Sequence, residues 1–359
     1  MTKVSNKIGS IEWLRFTCIL AVIMLHTCVT INTNYTISNI GFSKYMILEI
    51  IHNIMRFAVP CFLMITGALL LDENKKITGK KNLKYLKKTI ILLFVFGYFY
   101  CLLETFFNTR KININLFSKS FLNLIEGKSW AHMWYMYSLV GFYIILIPLK
   151  RFIDNSSKKE IRNYLIIFAI IGNAVYTLNN LFSIKIYNFA MLNNIILYPM
   201  LGYYLYKYKD DFIDNQYKYY ITGLVSLLIN LVYDFITLKI SMGGKNTTWI
   251  TNYGNIFVLL YPTSIFLLFI LNANKPFKTN FLNKINECGL YIYLIHPFFI
   301  NFIYKFLVRT PLDLPIVIGI IVYFAIITIC SIICAMIISK IIKSMKARLL
   351  DMVMENLSG

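Results

Sequence analysis

The chain has 359 residues, 58% of them hydrophobic and only 14% charged, with a mean hydropathy of +0.63, far too apolar for a water-soluble protein of this size. A formal net charge of +20 would suit a nucleic-acid partner, but the basic residues here separate apolar blocks and mark one face of a membrane protein. The blocks do not alternate apolar and polar residues, which excludes a transmembrane barrel.

In lipid each spanning segment must satisfy its own backbone hydrogen bonds, so blocks of about twenty apolar residues predict helices. The expected fold is an all-α integral membrane protein with about ten transmembrane helices in one bundle. The spans fall near 11–31, 46–71, 86–107, 131–149, 163–182, 186–206, 217–238, 254–272, 288–308 and 315–339. The tails and alternate loops on the N-terminal side hold 24 of the 36 Lys and Arg residues, against ten on the other side. The positive-inside rule therefore puts both termini in the cytoplasm. No linker or composition shift divides the chain, and residues 1–359 read as one membrane domain.

The first segment begins with Lys3 and Lys7 and continues into an apolar run containing Arg15 and His26. No small-residue cleavage site follows, so it reads as an uncleaved span and not a signal peptide. Arg15 and His26 are eleven residues apart, three turns plus about 20°, which places them on one helix face about 16 Å apart along the axis. Glu12, one turn before Arg15, can pair with it at i, i+3. An ionisable group inside a span costs roughly 2.5–3.5 kcal/mol and is a functional candidate by default. The alternative for Arg15 is a side chain that snorkels to the interface.

The second span runs through Glu49, His52 and Arg56 to Pro60, Thr66 and Gly67. Pro60 predicts a kink, and Gly67 a close helix approach. Glu104 and Asp234 lie in the outer halves of the third and seventh spans. Together with Glu49 and His52 they read first as outer-interface residues. His132 and Trp134 open the fourth span, and His296-Pro297 sits near the middle of the ninth, where proline opens the helical hydrogen-bond ladder. A shared polar cavity accounts for all four histidines falling in or beside spans. The seven cysteines lack metal-ligand spacing and read as packing residues. No metal is expected, since the histidines have no carboxylate or thiolate co-ligands at helical spacing.

At these residues the sequence resembles acyltransferase family 3, membrane proteins that include O-acetyltransferases of bacterial surface polysaccharides and peptidoglycan. The most specific element is an Arg and a His separated by ten residues in the first span, matched by Arg15 and His26. Supporting elements are Arg56-Phe57-Ala58-Val59-Pro60-Cys61-Phe62 leading to Ile65-Thr66-Gly67, then His132-Met133-Trp134-Tyr135, and Tyr291-Ile292-Tyr293-Leu294-Ile295-His296-Pro297. Thr66 stands where the family usually has Ser, and Glu12 where many members have Asp; both keep the chemical type.

The resemblance implies transfer of an acyl group, most often acetyl, from cytoplasmic acyl-coenzyme A to a hydroxyl of a cell-surface or lipid-linked glycan, in the bacterial cytoplasmic membrane. His26 and Arg15 are then the catalytic candidates, with Glu12, Arg56, Thr66, His132, Trp134 and His296 as substrate- or donor-binding candidates. The basic run from Lys75 to Lys88 can attract the phosphates of the donor. Expected partners are membrane lipid, acyl-coenzyme A (acetyl-CoA) and a glycan or glycolipid acceptor, with no nucleic acid; self-association into a homo-oligomer is left open. A polysaccharide exporter or secondary transporter would place the same His, Arg and Glu residues in its spans, with Arg15 as a substrate clamp and His26 in a proton relay.

Overall fold

Lipid satisfies no backbone hydrogen bonds, and the chain answers with helix almost throughout. The structure is a computed structural model that describes residues 2–34, 37–189, 192–241, 252–272, 280–306 and 316–358, with no β-strand among them. Its principal helices are α1 (Thr2–Asn34), α2 (Phe42–Met55), α3 (Ala58–Leu70), α4 (Gly79–Thr109), α5 (Ile114–Ile125) and α6 (Trp134–Asp154). They continue with α7 (Lys158–Phe182), α8 (Tyr198–Lys207), α9 (Gln216–Ser241), α10 (Ile256–Asn272), α11 (Asn280–Phe306) and α12 (Ile316–Ser358).

Among the described residues seven stretches are long and apolar enough to cross a membrane: Gly9–Asn32, Phe42–Leu70, Gly79–Thr109, Ala131–Asp154, Lys158–Phe182, Gln216–Ile240 and Val317–Met345. Seven clear spans are thus present among the described residues, where ten were expected. The expected span 186–206 is divided between a π-helical stretch, Asn193–Leu197, and the ten-residue α8. Helix α10 has 17 residues. Helix α11 has 27 but interrupts its apolar sequence with Asn286, Glu287, His296 and Asn301. Parts of the expected spans 186–206, 288–308 and 315–339 lie outside the described residues.

Large aliphatic side chains are exposed along whole faces of the spanning helices, as at Ile91 and Val95 of α4, Leu224 and Val232 of α9, and Ile329 and Ile333 of α12. Apolar faces of this extent suit a hydrocarbon solvent and not water. The chain is a multi-pass membrane protein.

The chain divides into two compact units, the first made of residues 1–58, 216–251 and 261–359 and the second of 59–215 and 252–260. In the first unit α1 is the common element. It packs against α2, α11 and α12, while α11 packs on α12 and α9 on α2. Leu14, Cys18, Val22, Ile23 and Cys28 of α1 are completely buried in these contacts. Of the seven cysteines, all free, five are buried and Cys330 and Cys334 are half-buried, the packing role expected of them.

The second span breaks at Arg56 and Phe57, between α2 and α3. The break falls where Pro60 requires it: a proline removes its own N–H from the ladder and its ring clashes with the carbonyl four residues earlier, here that of Arg56.

In the second unit α4 packs on α5 and α6, and α7 and α8 gather around two π-helical stretches, Ala169–Ala174 within α7 and Asn193–Leu197 before α8. Helix α4 starts at Thr78, whose hydroxyl accepts from the Lys81 N–H. Helix α7 starts with a capping box in which the Ser157 side chain accepts from Glu160 N–H and the Glu160 carboxylate accepts from Ser157 N–H. The close approach anticipated at Gly67 is present and is reciprocal. A Cβ on Gly67 would fall 1.8 Å from the Pro199 carbonyl oxygen, and one on Gly202 would fall 2.1 Å from that of Met64.

Since backbone lies across each contact, Gly67→Val is expected to destabilise the protein by about 1–3 kcal/mol or more. Gly79→Ala, with nothing within 4 Å of its new Cβ, is expected to be near neutral. Thermal unfolding of the detergent-solubilised protein checks both, and an unchanged midpoint for Gly67→Val would contradict the reciprocal packing.

Candidate functional site

Two helical periodicities assemble the polar groups of the first unit. On α1, Arg15 Nη1 donates to Glu12 Oε1 at 2.6 Å, the expected i, i+3 pair. The second carboxylate oxygen is taken by α11: Asn286 Nδ2 donates to Glu12 Oε2 at 2.7 Å and to the Glu12 carbonyl at 2.9 Å. Glu12 therefore holds Arg15 in place while being held itself.

Further along the same face of α1, the His26 ring lies 5.2 Å from the ring of His296. His296 is fully buried. Its Nδ1 lies 3.2 Å from the carbonyl of Ile292. A carbonyl only accepts, so Nδ1 carries the proton and Nε2 keeps its lone pair. Helix α11 thus supports both ends of the α1 face, Asn286 at Glu12 and His296 at His26.

Helix α2 adds a relay that sequence reasoning left at the interface. Glu49, His52, Asn53 and Arg56 follow the i, i+3, i+4, i+7 pattern of a single helical stripe. Asn32 Nδ2 donates to Glu49 Oε1 at 2.6 Å, and His52 Nδ1 lies 3.3 Å from Glu49 Oε2. Arg56 Nη1 donates to His52 Nε2 at 2.8 Å. Arginine has no acceptor, so His52 accepts through Nε2 and donates through Nδ1. The chain runs Asn32, Glu49, His52, Arg56, and it ends near His26.

Asn53 Nδ2 donates to Asp234 Oδ2 on α9 at 3.0 Å and to the Glu49 carbonyl at 3.0 Å. Asp234 is 5% exposed and His52 9%. The expectation that these two are interface residues gives way to their burial among partners within the protein.

The remaining candidates lie in the second unit. Thr66 donates its hydroxyl to the Phe62 carbonyl at 2.8 Å. His132 is buried, its ring edge-on to Tyr100 at 5.2 Å and 6.4 Å from Trp130. Trp130 stacks on Tyr100 at 4.3 Å and donates Nε1 to Glu104 Oε2 at 3.2 Å. Trp134 packs against Tyr253 at 5.3 Å. The structure thus gathers Glu12, Arg15, His26, Arg56 and His296 in one unit, and places Thr66, His132 and Trp134 in the other. Sequence reasoning missed Asn286, Trp130 and Tyr100. Nothing in helical periodicity distinguishes them from other polar and aromatic residues of a span. Among the described residues no group of three or more His, Cys, Asp or Glu has an arrangement that could hold a metal ion.

Buried imidazoles with assigned tautomers beside a fixed guanidinium supply a proton acceptor and a stabiliser of negative charge, the two needs of acyl transfer. Residues 8–340 match the family described as "Acyltransferase domain", and the chain belongs to this family, acyltransferase family 3. It is also similar to the probable poly-beta-1,6-N-acetyl-D-glucosamine export proteins of Staphylococcus aureus strains MSSA476, MW2 and N315. Each is 25% identical over 272 residues, which cover 71% of this chain and 72% of the relative. No solved structure matches the chain.

The Glu49 carboxylate sits between two donors, so Glu49→Ala is expected to destabilise the protein by about 1–3 kcal/mol by leaving Asn32 and His52 without it. Lys44→Ala, an exposed position on the same helix, serves as the control in thermal unfolding; equal midpoints for the two variants would remove the relay from the structural account.

Proposed function

We propose that this protein transfers an acyl group, acetyl in the first instance, from acyl-coenzyme A to a hydroxyl of a cell-surface or lipid-linked glycan, in the bacterial cytoplasmic membrane with both termini in the cytoplasm. The observation that carries the reading is the His26–His296 ring pair at 5.2 Å, on the helix that also holds the Arg15–Glu12 pair.

In this mechanism His26 is the general base. It removes the proton from the acceptor hydroxyl as that oxygen attacks the thioester carbonyl. The C–S bond then breaks, the acyl group stays on the acceptor oxygen as an ester, and the departing thiolate of coenzyme A takes the proton from the imidazolium. Negative charge builds on the carbonyl oxygen before that bond breaks. Arg56, set by His52 and Glu49, and His296 are the groups assigned to stabilise it. Arg15, fixed by Glu12 and Asn286, is assigned to an anionic or carbonyl group of the donor. Thr66, His132 and Trp134, in the second unit, stay substrate-binding candidates. Trp130, half-buried and backed by the buried Tyr100, with Nε1 on Glu104, has one ring face that suits the C–H face of a sugar.

The name of the staphylococcal relatives favours a second reading, export of a polysaccharide. The two make different demands. An acyltransferase consumes acyl-coenzyme A and needs no ion gradient, whereas a gradient-driven exporter stops when the gradient collapses.

The test is transfer from labelled acetyl-coenzyme A to a panel of surface glycans by the protein in lipid nanodiscs. Wild type is expected to turn over. His26→Ala is expected to lose at least 10²-fold, the scale of general-base catalysis, with its thermal unfolding unchanged. Normal transfer by His26→Ala would falsify the assigned role, and glycan flux that requires a gradient without consuming donor would favour export.

A further inference from the structure

The second unit contains a cavity of about 440 Å³ between the segment 73–79 and the end of α6. That volume is in the range of small-molecule sites. Its walls carry four cations, Lys75, Lys76, Lys150 and Arg151, and two carboxylates, Glu73 and Asp154.

Both carboxylates are already engaged. Lys207 Nζ pairs with Glu73 Oε2 at 2.5 Å, and Lys150 Nζ with Asp154 Oδ1 at 2.5 Å. Lys150 is 7% exposed and also donates to the Leu71 carbonyl at 3.4 Å, so it is committed to holding the wall together. This leaves Lys75, Lys76 and Arg151, which have no carboxylate within ion-pair distance among the described residues. Burial and the neighbouring charge of Lys81 both hold the Lys75 ammonium below the usual lysine range. Asp72 offsets part of this at Lys75, but three cations outside any ion pair around a concave site still favour the arrival of an anion. The planar guanidinium of Arg151 suits a phosphoryl group by bidentate hydrogen bonding, and the two ammonium groups serve as point charges.

We infer that this cavity, lined by Lys75, Lys76 and Arg151, binds the phosphorylated adenosine head of the acyl-coenzyme A donor. The inference rests on the acyltransferase reading for the identity of the ligand; the cavity by itself asks for a multiply phosphorylated one. The three phosphoryl groups of the head match the three cations outside any ion pair, and the cavity has room for part of the nucleoside as well. Anionic lipid offers the same phosphoryl chemistry from the bilayer, but a diacyl phosphate headgroup brings one such group where the site offers three partners.

The experiment is titration of the full-length protein in nanodiscs of zwitterionic lipid with 3′-phospho-ADP, the isolated head. Saturable binding that weakens tenfold or more in Lys76→Gln/Arg151→Gln, with KM for acetyl-coenzyme A rising in parallel, is the expected result. Both side chains are exposed, and thermal unfolding of the variant verifies that the fold is kept. Binding unchanged in the variant overturns the site and leaves acyl transfer standing if wild type turns over. No head binding in zwitterionic nanodiscs, together with phosphatidylglycerol binding that depends on Lys76 and Arg151, would assign the cavity to lipid and also overturn the inference. Head binding that depends on Lys76 and Arg151 in a protein with no transferase turnover upholds the site while bringing down the acyltransferase reading.

Discussion

Every polar side chain that enters a lipid-facing bundle must find its partner inside the protein, and α1 is where that constraint is most acute. Its face carries an acid, a base and an imidazole within about four turns. Unpaired, each would be a liability of several kcal/mol. Paired, they fix the azimuth of α1, because Glu12 is held by Asn286 and His26 lies against His296. The same contacts decide the neighbours: α11 must supply both Asn286 and His296, and α2 must present the stripe from Glu49 to Arg56. The first unit is organised around solving one electrostatic problem, and the site is the form the solution takes.

The two histidine tautomers show how far that organisation reaches. His296 spends its Nδ1 hydrogen on the Ile292 carbonyl, and His52 is read from both sides by a donor and an acceptor. An imidazole whose partners fix the ring and the protonated nitrogen needs little rearrangement when charge develops beside it. Arg56 gains the same benefit from His52. It stands at the break before Pro60, where the chain has no regular helical bond to offer and a side chain can be held by its neighbours alone.

Much of this was legible in the sequence, to differing depths. Arg15 and His26 declared themselves through spacing, since eleven residues on a helix returns to the same face, and the Glu12–Arg15 pair followed from i, i+3 geometry. Gly67 announced a close approach, although its counterpart Gly202 did not, because a glycine in an apolar helix has many uses and only packing reveals which applies. His52 and Asp234 were harder. Both lie near span ends, where snorkelling and burial predict the same composition. The count of ten spans is only partly matched for a related reason: α11 carries so many inward polar residues, and α8 and α10 are so short, that apolar content and length no longer separate a crossing from a buried helix. The stack of Trp130 on Tyr100 was beyond reach, for it joins residues thirty apart whose meeting depends on how α4 turns back toward α6.

The π-helical stretches have a consequence of their own. A π turn holds one residue more than the α-helical ladder accommodates, and so it acts as a record of insertion. The stretch Ala169–Ala174 advances everything after it by about 100° relative to regular winding. That phase lets Thr177 receive the Ile256 N–H and Asn173 reach the Tyr253 carbonyl. It also brings Gly172 so close to Asn193 that a Cβ would fall 2.3 Å from its side-chain oxygen. A shortened relative lacking that residue would therefore have to abandon the whole set of contacts to residues 252–256 at once. Length in this part of the chain is inherited as a unit with the sequence around it, and insertions or deletions here should separate lineages more cleanly than substitutions do.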